Sequence, residues 1–160
     1  MSVSIDMNNG TASLLRELRD RDSETGLLTA NRLYQSLLAE IARSGRYGNP
    51  LACVLVQVRG LDESRQDARL QLANRVAIVM RTTDYAGIWQ TDEFLLVLPE
   101  TDEAGAYRFA GKVEQELVDL VESLDDTDGP NPEISTRLTA WKTGDDAEAI
   151  LARLETRTHA

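Results

Sequence analysis

Apolar residues recur along this chain at two spacings, every three to four positions and every second position, and each stretch therefore declares a helix or a strand. Residues 1–9 read as a loose terminus. Asn9 or Thr11 then caps a helix to about Arg21, with Leu14, Leu15 and Leu18 on one stripe and charge elsewhere. A helix this short is marginal alone, so it is expected to pack on the domain or on a partner. After a turn at Ser23 to Gly26, Leu33, Leu37, Leu38 and Ile41 share one face of a second helix, about Thr29 to Ser44. Gly45 to Pro50 reads as a loop.

Leu51 to Val58, LACVLVQV, is apolar nearly throughout and predicts a strand covered on both faces, hence central. A short polar crossing leads to a helix from Asp67 to Arg81, carried by Leu72, Ala73, Val76, Ala77, Val79 and Met80. Tyr85 to Trp89 and Phe94 to Leu98 are two strands of a hairpin whose tip is Gln90, Thr91, Asp92 and Glu93. Pro99 and Thr101 open a long helix to about Ser123, with Ala106, Phe109, Ala110, Val113, Leu117 and Leu120 inward. The segment Asp125 to Pro132 has turn composition. Ile134 to Trp141 alternates as a strand, and Asp145 with Glu148 suggests a capping box for a last helix through Ile150, Leu151 and Leu154. The expected architecture is α/β (α+β), a mixed central sheet covered by helices.

The chain has 160 residues, 42% of them apolar, with 4 prolines and 10 glycines, which suits one folded domain. Its longest apolar runs, Leu51 to Val56 and Phe94 to Leu98, fall far short of the roughly 18 residues that a bilayer span needs. The opening MSVSIDMNNG lacks the basic and apolar regions of a signal peptide, so a cytoplasmic location is expected. Seventeen Lys+Arg against 27 Asp+Glu leave a net charge of −10, which opposes nucleic-acid binding while leaving room for a local arginine site for a small anion. Cys53 is the only cysteine and lies in an apolar run, which predicts a buried, inert thiol.

Candidate chemistry is sparse. Adjacent Asp92 and Glu93 at the hairpin tip offer hard oxygens to a divalent cation, but the end of the central strand supplies Gln57 and Arg59 where further carboxylates would be needed. A solvated acidic turn explains the pair as well. Arg81 and Asp84, at the end of a helix, form either a local ion link or a donor fork and acceptor for a guanine edge or a phosphate. His159 lies in the tail, and Ser, Cys and His show no nucleophilic arrangement. There is no Gly-rich phosphate cradle and no zinc-like spacing.

Residues 84 to 99, DYAGIWQTDEFLLVLP, resemble the signature hairpin of the diguanylate cyclase (GGDEF) family, which runs Arg-Tyr-Gly-Gly-Asp/Glu-Glu-Phe, an apolar strand and Pro. TDEAGAYRFAGKVEQEL resembles the helix that follows, DSETGLLTANRLYQSLL the family's opening motif, and ISTRLTAW its later strand. The resemblance covers about residues 20 to 155 and implies a GGDEF/nucleotide-cyclase-like domain over 21–156, preceded by a tail and leading helix over 1–20 and followed by a frayed tail over 157–160.

It also implies that the family's chemistry is absent here. The two tip glycines that admit the nucleotide in active members are Gln90 and Thr91, and the metal-binding Asp-x-Asp falls on Gln57 and Arg59. The loop carrying the guanine-reading Asn and Asp is missing, the opening Asn-Arg falls on Thr29 and Ala30, and the basic C-terminal motif is not reached. What survives is Arg81-x-x-Asp84, spaced before the tip like the family's inhibitory site for cyclic di-GMP, with Arg108 or Lys112 on the matching side of the next helix. The expectation is a non-catalytic, bacterial regulatory or scaffold module of signal transduction, without metal or enzymatic cofactor. It acts by contact with a protein partner or by self-association. Alternatives are a cyclic di-GMP receptor using Arg81, Asp84, Arg108 and Lys112, and a residual GTP-dependent enzyme using Asp92 and Glu93.

Overall fold

The computed structural model describes residues 19–61, 65–124 and 131–156. The expected leading helix reaches these residues only at Arg19 and Asp20, which are helical; its earlier turns, most of the acidic turn after residue 124, and His159 lie outside them. The elements are α1 (Ala30–Tyr47), β1 (Leu51–Arg59), α2 (Gln66–Val79), β2 (Tyr85–Gln90), β3 (Glu93–Pro99), α3 (Glu103–Glu122), β4 (Glu133–Ala140) and α4 (Ala147–Thr156). Among the described residues, no helix is long and apolar enough to cross a membrane.

The four strands form one sheet in the order β2-β3-β1-β4, and every pairing is antiparallel. Both crossovers, β1-α2-β2 and β3-α3-β4, join strands that run the same way, but each leaves room for another strand between them, the split βαβ arrangement. No two neighbouring strands are therefore parallel. The parallel component expected of a mixed sheet reduces, among the described residues, to a single bridge between Leu28 and Gly87.

Period-two alternation in β1 and β3 feeds two separate cores. Ala52, Val54, Val56 and Val58 with Phe94, Leu96 and Leu98 face α2 and α3, meeting Leu72, Val76, Ala110 and Val113. Leu51, Cys53 and Leu55 with Leu95 and Val97 face α1 and α4, meeting Leu33, Leu37, Ile150 and Leu154. Burial on both faces explains why β1 and β3 read as unbroken apolar runs. Cys53 is buried, and that burial pushes its thiol up to about 12, so it stays protonated and inert.

Helix boundaries follow local chemistry. Thr29 caps α1 by accepting from the Arg32 N–H. The helix runs through Gly45, beyond its expected end near Ser44, and stops at Gly48, whose φ of 72° is the left-handed geometry that glycine tolerates. At α4 the expected cap is displaced by one residue: Asp146, not Asp145, accepts from the Ala149 N–H at 2.8 Å. Asp145 is otherwise engaged. It accepts from the Lys142 N–H and from both terminal nitrogens of Arg153. Arg153 also donates to Thr139 Oγ1 and the Ala140 carbonyl, tying α4 to β4.

Candidate functional site

The hairpin tip stands at one end of the sheet, beside the end of β1. Gln57 lies opposite Glu93 in the β1–β3 register, and its Nε2 donates to Glu93 Oε2 at 2.8 Å. Its Oε1 in turn accepts from Arg137 Nη2 at 2.7 Å, while Arg137 Nη1 donates to the Leu154 carbonyl. A neutral amide thus joins a carboxylate on β3 to a guanidinium on β4, with both ends of the amide satisfied. Asp92 lies 3.8 Å from Arg69 of α2. Arg59 is exposed at the strand end, in register with Glu133. Among the described residues no three acidic, His or Cys side chains converge as a metal site would require.

A cleft of about 370 Å³ separates this tip from the opening turn, with Asp22, Thr25, Thr29, Arg69, Trp89 and Gln90 among its walls. The turn is held by Asp22 Oδ2, which accepts from the Thr25 N–H and hydroxyl. Leu28 then docks on β2: its N–H donates to the Ala86 carbonyl and its carbonyl accepts from the Ile88 N–H. Glycine at 87 permits this approach, because a Cβ there would stand 2.9 Å from the Leu28 oxygen and from Leu33 Cδ2. Thr91 and Gln90 put side chains at the tip where glycines would leave the backbone bare.

The second constellation lies at the opposite end of β3. Arg81 grips Asp84 through Nε at 3.1 Å and Nη2 at 3.0 Å, and its own backbone N–H donates to Asp84 Oδ2. Nη2 reaches further, to Thr101 Oγ1 at 2.7 Å and the Pro99 carbonyl. The carboxylate accepting from it raises Arg81 above its ordinary pKa. Arg81 is half exposed while the Asp84 side chain is fully covered. Arg81 and Arg108 line one cleft of about 340 Å³, together with Pro50, Thr101 and Phe109, but Glu100 and Asp102 line it too. Lys112 is exposed on α3 and is not among the lining residues. The structure therefore brings Arg81, Asp84 and Arg108 together and leaves Lys112 aside.

Sequence reasoning missed Arg69, Arg137 and Thr101. Arg69 is one charge among several on a polar helix face, and Arg137 occupies the polar side of an alternating strand, so neither carried a signal. Thr101 read only as a helix-start residue.

The family model described as diguanylate cyclase, GGDEF domain, matches residues 19–160. No curated protein matches the chain. Among solved structures, the coiled coil and GGDEF domain of DgcB from Caulobacter crescentus in complex with c-di-GMP superposes with a TM-score of 0.86 at 11% identity, covering 97% of this chain and 86% of that one. The diguanylate cyclase SiaD of Pseudomonas aeruginosa, in complex with its activator SiaC, gives 0.75 at 23% identity, covering 97% and 62%. A microbial GGDEF domain with cyclic di-GMP gives 0.73 at 18%, covering 89% of each chain. Identities this low establish a common fold.

Proposed function

Since the chain belongs to the diguanylate cyclase GGDEF domain family, we propose that it is a non-catalytic regulatory or scaffold module that acts through protein contact. The observation that carries this reading is the amide bridge at Gln57. Two divalent cations clamping a triphosphate need several free carboxylate oxygens, and here the strand-end position holds an uncharged amide already bonded to Glu93 and Arg137. Asp92 has a guanidinium beside it. A cation entering between them would have to break these contacts and approach positive charge, so the residues present do not fit the family's metal pair. Contact with a protein has a precedent in SiaD, which was crystallised with its activator. Incubation with GTP and Mg²⁺ or Mn²⁺ followed by chromatography is expected to show no cyclic dinucleotide. Product formation above a no-protein blank would overturn the reading.

A second reading, reception of cyclic di-GMP, is favoured by the placement of Arg81 and Arg108 around one cleft. Relatives of the same fold were crystallised with that dinucleotide. Two guanidinium forks suit phosphates and guanine edges. Glu100 and Asp102 oppose an anion there, and Asp84 would have to exchange its bonds with Arg81 for bonds to a base. Calorimetric titration is expected to give saturable heat with the wild type and at least about tenfold weaker binding, about 1.4 kcal/mol, with Arg81→Ala. Absence of heat at high micromolar ligand removes this reading.

A further inference from the structure

Among the described residues one non-glycine has a positive φ, Glu100 at 54°, in the turn that leads from β3 into α3. A residue with a Cβ resists that geometry, and such strain persists only where the surroundings dictate it. Here both neighbours are pinned. The Pro99 carbonyl accepts from the Thr101 hydroxyl at 2.9 Å and from Arg81 Nη2, which also donates to Thr101 Oγ1. One residue further, Asp102 caps α3 by accepting from the Gly105 N–H. Glu100 is thus held left-handed by a knot tied around Arg81, at a position where glycine would sit without strain.

The knot fixes a charge as well as a backbone. Glu100 Oε1 accepts from Asn49 Nδ2 at 3.0 Å, which tethers the side chain within the lining of the cleft that also holds Pro50, Arg81, Asp102 and Arg108. Two guanidiniums and two carboxylates line that cleft, and their formal charges cancel. The carboxylates are not equivalent. Asp102 uses one oxygen on the first turn of α3, where the helix dipole partly offsets its charge. Glu100 is bonded to a neutral amide, which leaves its charge whole. On the opposing side, Arg81 makes its side-chain bonds through Nε and Nη2, and Nη1 is left for a ligand. An anion can meet Nη1 and Arg108 without loosening the grip on Asp84, but it does so against Glu100.

We infer that Glu100 is the selectivity residue of this cleft, a fixed counter-charge that weakens every phosphate-bearing ligand and admits only one whose other contacts outweigh the repulsion. The inference rests on the reading of the cleft as a receptor for cyclic di-GMP and gives that reading its control. A bare phosphate has nothing with which to offset Glu100. A dinucleotide brings base edges for the guanidinium forks and ring faces for Pro50 and Phe109 in the same walls. Removing one unit charge from beside a doubly charged ligand changes its affinity about fivefold to tenfold at low salt.

Calorimetric titration of the full chain with cyclic di-GMP, and separately with inorganic pyrophosphate, tests this on wild type, Glu100→Gln and Glu100→Gly. Glutamine keeps the bond from Asn49 and the strained turn while removing the charge, and glycine removes all three. Both variants should bind the dinucleotide at least about fivefold more tightly than wild type near 50 mM salt, with the gap closing toward about 500 mM, and only the variants should bind pyrophosphate. Glu148→Gln, on α4 at the other face of the sheet, removes the same charge elsewhere and should leave both titrations at the wild-type values. Equal affinity in wild type and both variants overturns the inference and leaves the receptor reading standing. Tightening in Glu100→Gly alone, which would assign the effect to strain, or an equal gain in Glu148→Gln, which would assign it to overall acidity, also overturns it. Heat from the neutral variants with a silent wild type upholds Glu100 as the control and removes reception from the wild type, whereas silence from all three overturns both.

Discussion

Replacing Leu96 by alanine is expected to cost about 3 kcal/mol of folding stability, the middle of the range for a buried leucine. Leu96 has no exposed surface and sits where one row of side chains crosses all four strands, from Ala86 through Leu96 and Val54 to Leu138. That row is roofed by α2 and α3, whose Leu72, Val76, Ala110 and Val113 belong to the same cluster. Sheet and helices are both pinned there, so a cavity has little room to collapse. Equilibrium urea unfolding should show a lower midpoint with an unchanged slope, and a melting temperature reduced by roughly 10 °C. A loss below about 1 kcal/mol would mean that the cluster repacks freely around the missing side chain.

Arg153→Met should cost about 2 kcal/mol, for a different reason. The guanidinium satisfies Thr139 Oγ1, the Ala140 carbonyl and both oxygens of Asp145, and methionine keeps the aliphatic bulk while leaving those acceptors without it. The figure lies below that for a fully buried pair because 27% of the Arg153 side chain and 15% of the Asp145 side chain remain exposed. The loss depends on pH in a defined direction. Hydrogen bonding from Arg153 holds the Asp145 carboxyl below its usual pKa. A depressed folded-state pKa contributes stability that is complete above the unfolded value, about 3.9, and is lost as pH falls through the folded one. The gap between wild type and Arg153→Met should therefore be widest near neutrality and narrow below about pH 4. Urea midpoints at pH 7 and pH 3 check this, and an undiminished gap at pH 3 would contradict it.

The same corner of the molecule shows why part of the architecture was legible and part was not. Strands and helices announced themselves because burial is periodic: LACVLVQV lies within β1, and the hairpin and long helix fall within a few residues of their expected places. β4 was also legible as an alternating strand, in which Ser135, Arg137 and Thr139 share the more polar face. That face is covered by α4, and Thr139 is only 2% exposed. Polarity survives burial there because Arg137 and Arg153 reach acceptors that are far apart in sequence, which no local pattern encodes. The same limitation applied at the hairpin tip. Gln57, Asp92 and Glu93 were identifiable as the important positions from the resemblance, whereas their pairing with Arg137 and Arg69 required the fold. The left-handed Glu100, with φ of 54°, received no sequence signal either; its carboxylate accepts from Asn49 of the loop between α1 and β1.

The alternation of strand directions has a consequence for how the chain assembles itself. Within the hairpin, Gln90 and Glu93 pair almost as soon as both exist, whereas Gln57 must meet Glu93 across 36 residues and Arg137 across 80. By the logarithmic growth of loop entropy, closing the last of these costs about 3 kcal/mol more than closing the hairpin. The β1–β4 seam thus carries the largest closure cost of the three, and β1, apolar on both sides, takes its second neighbour from a strand some 80 residues further along the chain.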